Sequence, residues 1–238
     1  MSGHVSVIIP AWIPDGDGHG RLKLLVETAR EVLDTGIGRP VIVLQGAHDI
    51  IAEFGTSDVA SACELLSFAE PQGKWRAISS ALDHIRDQGG RGPGQIALLD
   101  ADHVFPSAAV CSCCELVASG HVRHAIGRRR NADESDRDLD MNKTYWEVFV
   151  NSLLLVRRQL NAELQRGPDI QSGLQVFDRD FLLTFDRARL PIFGGGELIL
   201  FDCLARYGEL PAEVDVSIRR NPPSTFSLER LVKDASGN

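Results

Sequence analysis

At 238 residues, with 43% hydrophobic and 24% charged side chains, the chain is long enough for one large α/β domain or two small ones and too apolar to be disordered. A formal net charge of −8 and an isoelectric point near 5.4 argue against a general nucleic-acid-binding surface. No run approaches the roughly 20 apolar residues that cross a bilayer, and residues 5–9 lack the length and basic flank of a signal peptide; a cytoplasmic protein with no transmembrane segment is expected.

Strands and helices alternate through the first half. His4–Ile9 reads as a strand, Leu22–Leu33 as a helix, Pro40–Leu44 as a strand and Glu64–Phe68 as another. Lys74–Arg86 reads as a helix, Gln95–Leu99 as a strand and Ser107–Ala118 as a helix. Near-continuous apolar strands separated by helices predict a mostly parallel sheet covered on both faces. Five cysteines are an odd number in a chain too large to need staples, and Cys111, Cys113 and Cys114 fall within one helix, so reduced buried thiols are expected.

The second half has a different pattern. Val122–Ile126 reads as a strand running into Gly127 and the arginines 128–130, and the polar, acidic residues 131–140 as a loop. An apolar helix over about 145–164, suited to a dimer surface or membrane contact, precedes a strand near Leu174–Phe177 and a helix near Arg179–Phe185. Gly194–Gly196 break the chain before a helix over Glu197–Tyr207 with a stripe through Leu198, Phe201, Leu204 and Ala205. Ala212–Ile218 is a last alternating strand, and residues 221–238 form a tail.

The strand at Gln95–Leu99 ends in Asp100-Ala-Asp102. In extended backbone residues i and i+2 point the same way, so Asp100 and Asp102 can face one cation. Two carboxylates beside a phosphate suit Mg²⁺ or Mn²⁺, hard ions that take oxygen ligands. In open α/β sheets ligands lie beyond the carboxyl ends of the strands. Pro10–Pro14, Gln45–Asp49, Gly73–Arg76 and Asp100–Asp102 all belong to that edge, as in a nucleotide-sugar site.

With Val5–Ala11, Gly73-Lys74 followed by Ala77 and Ala81, and Leu98–Asp102 in this order, the chain resembles the nucleotide-binding half of GT-A fold glycosyltransferases. Ile126-Gly127-Arg128, Asp169-Ile-Gln-Ser-Gly-Leu174 and Glu197 resemble segments of the dolichyl-phosphate-mannose-synthase (family 2) type within that fold. The resemblance covers residues 4–207. It implies one Rossmann-like α/β domain over 1–238, with a donor half in 1–105 and an acceptor half in 106–220. It places Pro10, Ala11, Trp12, Gln45, Asp49, Gly73, Lys74, Asp100 and Arg128 at a nucleoside-diphosphate-sugar donor, and Asp100 and Asp102 at the metal. It makes Glu197 the first and Asp169 the second candidate base. The glutamine and mid-helix arginine of the polyprenyl-phosphate enzymes have no counterpart at Val104 or around Trp146–Val148, which argues against a lipid-phosphate acceptor; the resemblance implies a small-molecule or lipid-linked acceptor, with inversion at the anomeric carbon.

Two rivals stand beside this. A sugar-phosphate nucleotidyltransferase would use the glycine-rich Asp15–Lys23 run as a phosphate loop. A non-catalytic nucleotide-sugar-binding domain would bind the donor without turnover. His103, next to the aspartates, reads equally as a supporting residue of the metal site or as a cap.

Overall fold

The computed structural model describes residues 5–14, 18–88, 94–130, 169, 172–186, 199, 203 and 206–219. In chain order the elements are β1 (Val5–Ile13), α1 (Gly18–Thr35), β2 (Gly38–Gly46), α2 (His48–Gly55), a 3₁₀ turn (Ala60–Ala62), β3 (Glu64–Phe68), α3 (Lys74–Asp87) and β4 (Gln95–Leu99). There follow α4 (Ser107–Ala118), β5 (His124–Arg130), β6 (Leu174–Asp178), α5 (Arg179–Leu183) and β7 (Ala212–Ser217).

Seven strands form one sheet in the order β3-β2-β1-β4-β6-β5-β7. β1 pairs in parallel with β2 and β4, β2 with β3, and β5 with β7, while β6 runs antiparallel to both β4 and β5. The carboxyl ends of β1 to β5 and β7 and the amino end of β6 therefore share one edge. The expected mostly parallel sheet with helices on both faces is found.

Each face buries its own core. Val7, Ile9, Ala97, Leu99, Leu174 and Val176 meet Leu25 and Ala29 of α1 and Val110, Cys113 and Val117 of α4. On the opposite face Ile8, Val43, Ile96, Leu98 and Phe177 meet Trp75, Ile78, Ala81, Leu82 and Ile85 of α3 and Phe181 of α5. Odd and even residues of β1 and β4 divide between the faces as period-two strands require. Of the helix expected over Glu197–Tyr207, Ile199, Cys203, Arg206 and Tyr207 are described, and all four are helical. Ile199 and Cys203, one turn apart, are the ones buried in the α3-side core. The five cysteines carry free thiols, and burial pushes the Cys113 and Cys114 thiols up to about 12.

Several boundaries differ from the sequence reading. β1 runs four residues past Ile9, because β2 pairs with it as far as Ile13. Pro10, which lacks an N–H, is tolerated there because the β4 pairing stops at Ile8 and leaves one flank of β1 open. Arg128, Arg129 and Arg130 lie on β5, held in register by β7, where Arg128 pairs with Asp215. The acidic 131–140 segment, the 145–164 helix, the Gly194–Gly196 break and the 221–238 tail lie outside the described residues.

Candidate active site

β4 delivers Asp100 to the sheet edge, but the two aspartates do not continue an extended strand. Strand geometry ends at Leu99 and residues 101–102 form a turn, so alternation along a strand is not what orients them. The Asp100 amide instead donates to the carbonyl of Gly173 (2.9 Å), one step beyond the Leu99–Leu174 pair. The turn then passes through His103, whose φ of 57° is the one positive value at a non-glycine position among the described residues.

The β1–β4 register ends with the Ile8–Leu98 pair, so the two strands part just before Pro10 and Asp100. Strand order diverges here, with β2 and β3 to one side of β1 and β4 to the other, so Asp100 stands at the switch point where open α/β sheets bind ligands.

Two segments converge on Asp100. Lys74, the first residue of α3, places Nζ 2.6 Å from Asp100 Oδ1. Gly73 before it has φ 82° and ψ 157°, a conformation that glycine adopts without strain. From the other side comes Gly173, where an ideal Cβ would stand 2.3 Å from Asp100 Oδ2 and 2.5 Å from Cγ. Only glycine fits against this carboxylate. The segment carrying Gly73 and Lys74 thus meets Asp100 through the lysine.

Gln45 and Asp49 take other positions. Gln45 is 2% exposed, and its Oε1 accepts from the Gln72 amide at 2.5 Å, tying the end of β2 to the approach into α3. Asp49 is exposed in the first turn of α2, a helix absent from the sequence reading, and its Oδ1 accepts from the Ile50 amide (2.9 Å). Ala11 is buried toward the α1 face, while Pro10 and Trp12 are half-buried. From Gly18 onward the glycine-rich run considered as a phosphate loop is the start of α1.

Next to Gly173 lies a second polar cluster. Asp169 accepts from the Arg129 amide (3.1 Å) and Nε (2.7 Å) and from its Nη2, and the Arg129 side chain is 5% exposed. Ser172 Oγ donates to the carbonyl of Gly127 (2.6 Å), and its amide donates to the Asp169 carbonyl (2.9 Å). Asp169 and Ser172 thus clasp β5, next to the Gly173 that meets Asp100. Arg129, rather than Arg128, engages Asp169. Arg128 Nη1 lies 4.0 Å from Glu213 and its Nε 3.9 Å from Asp215, and Arg130 Nη2 lies 3.0 Å from Asp215.

Glu213 is a site residue the sequence reading passed over. Its Oε1 accepts from the Asp169 amide (2.9 Å), and burial, the largest influence, raises its carboxyl above the usual range. The available signal was the period-two pair Glu213 and Asp215 on a strand facing an arginine-rich neighbour. Glu197 lies outside the described residues.

For a divalent ion, Asp100 and Asp102 offer the oxygen donors such an ion prefers. Among the described residues no group of three or more His, Cys, Asp or Glu side chains could hold a metal. Two carboxylates with the remaining positions left to phosphate and water is the arrangement Mg²⁺ commonly takes. The residues present fit the ion.

No family model matches the chain, and no curated protein does. Solved structures do match. Glucosyl-3-phosphoglycerate synthase from Mycobacterium tuberculosis, in complex with uridine-diphosphate, is similar with a TM-score of 0.68 at 17% identity, over 96% of this chain and 75% of that one. The same synthase in complex with Mn²⁺, UDP and glucosyl-3-phosphoglycerate gives 0.64 at 16%, over 98% and 76%. Mannosyl-3-phosphoglycerate synthase from Rubrobacter xylanophilus gives 0.56 at 16%, over 98% and 72%. A 4-diphosphocytidyl-2C-methyl-D-erythritol synthase from Anaerococcus prevotii gives 0.55 at 13%, over 98% of both chains. At these identities the likeness speaks for architecture, and with the sheet order and helix placement it establishes that this chain has the Rossmann-like GT-A fold.

Proposed function

We propose that the protein is a metal-dependent glycosyltransferase, moving a sugar from a nucleoside diphosphate to a small anionic acceptor. The observation that carries this reading is the junction at Asp100. A lysine from α3, a glycine before β6 and the Asp100–Asp102 turn meet at the switch point of a GT-A sheet. The glucosyl- and mannosyl-3-phosphoglycerate synthases offer a related chemistry by name, the glucosyl enzyme having been solved both with Mn²⁺, UDP and glucosyl-3-phosphoglycerate and with phosphoglyceric acid.

The residues divide the work as follows. Transfer breaks the bond between the anomeric carbon and the diphosphate oxygen, and negative charge gathers on the leaving diphosphate. Asp100 and Asp102 would hold Mg²⁺ or Mn²⁺, which when bound offsets that charge. Lys74 shares Asp100 and is placed to hold a donor phosphate in exchange. Pro10 and Trp12 border the nucleoside side of the crevice. Arg128 stands on the same edge, with the fork geometry that matches phosphate or carboxylate oxygens, which suits an anionic acceptor; phosphoglycerate, named with the similar synthases, is a small one. A hydroxyl acceptor also needs a base, for which Glu197 is the first candidate; Asp169, with Arg129 on both its oxygens, serves the framework instead.

The test is incubation with UDP-, GDP-, CDP- and dTDP-sugars and Mn²⁺, with and without phosphoglycerate and related phosphorylated acids. Acceptor-dependent release of one nucleoside diphosphate supports the assignment. Pyrophosphate release from a nucleoside triphosphate and a sugar phosphate would replace it with the nucleotidyltransferase reading. Diphosphate binding without turnover on any donor would leave a binding domain.

A further inference from the structure

The turn that carries Asp102 is braced from outside the crevice. His103, which follows Asp102, has φ 57°, a left-handed conformation uncommon for a residue with a Cβ. Such conformations persist where the surroundings over-determine them, and they gather at functional turns. Three side chains surround the His103 ring. Nδ1 lies 3.4 Å from Glu27 Oε2, and Nε2 lies 3.2 Å from Glu31 Oε2 and in hydrogen-bond contact with Arg219 Nη1. Arg219 in turn engages Glu31 through both Nη1 (2.9 Å) and Nη2.

Glu27 and Glu31 are one turn apart on α1, and Arg219 follows β7. Its backbone is anchored as well, because the Arg219 amide donates to the Val104 carbonyl (3.1 Å) and the Ile218 amide to the Arg130 carbonyl (3.1 Å). Val104 and Phe105 are buried in the α1-side core. The turn is thus fixed at both ends: Asp100 by Gly173 and Lys74, His103 by α1 and the chain leaving β7. None of these side chains has a use in binding a sugar nucleotide, yet all bear on the residue next to Asp102.

We propose that His103 is a positioning residue for the metal site: its ring, clamped by Glu27, Glu31 and Arg219, holds the Asp100–Asp102 turn in the form that binds the cation. The clamp joins the donor half to the last strand of the acceptor half, so changes at Arg219, far from the crevice in sequence, are felt at Asp102. The inference rests on the metal–nucleotide reading above. Supporting residues around metal ligands govern affinity by about 10- to 100-fold when removed.

The experiment is a Mn²⁺ titration followed by electron paramagnetic resonance of the free ion, with excess UDP, on full-length wild type, His103→Gly, Arg219→Gln and the double variant. Glycine accepts the backbone conformation of His103 without strain, so His103→Gly removes the ring and leaves the turn's dihedrals accessible. Thermal melting without ligand runs alongside as the control for folding. The expected result is Mn²⁺ binding weakened about tenfold in each single variant, about as much in the double, with melting within a few degrees of wild type. Wild-type affinity in His103→Gly would overturn the clamp while leaving the metal site standing. Affinity losses that simply add would also overturn it, since two parts of one device do not act independently. A wild type that takes up no Mn²⁺ would remove the metal reading and the clamp together.

Discussion

Lys74 Nζ lies 2.6 Å from Asp100 Oδ1 and so joins the first residue of α3 to the first residue beyond β4. The two side chains are 43% and 34% exposed, and a pair this open contributes at most about 1 kcal/mol to stability. Lys74→Met therefore leaves the melting temperature within a few degrees of wild type. Nucleoside-diphosphate affinity falls by about 10- to 100-fold, the worth of a hydrogen bond to a charged group. Calorimetric titration with UDP and with the other diphosphates checks both the fall and the base.

Gly173 presses against the Asp100 carboxylate, and a methyl there collides with Cβ, Cγ and Oδ2 of Asp100 at 2.8, 2.5 and 2.3 Å. Gly173→Ala must turn Asp100 away from Lys74 or open the β4–β6 junction. We expect loss of metal-dependent nucleotide binding in a protein that still folds. Circular dichroism together with the same titration tests this; normal binding in Gly173→Ala would show that the contact does not govern the site.

Arg129 is buried and its partner Asp169 half-buried, and removing Asp169 leaves the guanidinium charge uncompensated in the interior, which costs up to about 3–5 kcal/mol. Asp169→Ala should shift the urea midpoint strongly downward. A stable but inactive Asp169→Ala would instead return Asp169 to the role of base. Glu213, whose Oε1 holds the Asp169 amide, belongs to the same framework, and Glu213→Gln should keep the fold.

His124 is fully enclosed on β5, bonded to Gln175 (3.1 Å) and stacked on Phe177 with ring centroids 4.2 Å apart. Burial lowers its pKa from 6.5 to about 3. The unfolded chain therefore binds a proton that the folded chain refuses. The stability this group contributes is present above about pH 6.5 and is lost as pH falls toward 3. Within that window it amounts to about 1.4 kcal/mol per pH unit. Denaturant unfolding followed from pH 7.5 to 5 should show this slope only below about pH 6.5 in wild type, and a smaller one in His124→Gln.

Much of this architecture was legible in the chain. β4 and α4 have the limits their apolar runs and the flanking Pro106 set, because local burial decides them, and the half-exposed β3 also has the limits read from its sequence. α2 was not legible: it has eight residues, and its N-cap, Ala47, makes no side-chain cap. The arginines of β5 were not legible as strand because their extension rests on backbone pairing with β7, some 85 residues away. In the same way the aspartate pair pointed to the right place on the sheet. Its turn geometry, and its partners Lys74, Gly173 and His103, depend on contacts between distant segments that no local pattern records.

The measurement that bears most directly on the central claim is thermal melting of wild type and Asp102→Ala with UDP, GDP, CDP and dTDP, each with and without Mn²⁺. At about 100 times its dissociation constant a ligand adds about 2.7 kcal/mol, or roughly 5–10 °C for a chain of this size. One diphosphate is predicted to stabilise wild type in the presence of Mn²⁺, and the shift is predicted to vanish in Asp102→Ala. A shift that is the same in both proteins, or no shift with any diphosphate, would contradict a metal-assisted nucleotide-sugar site at Asp100 and Asp102.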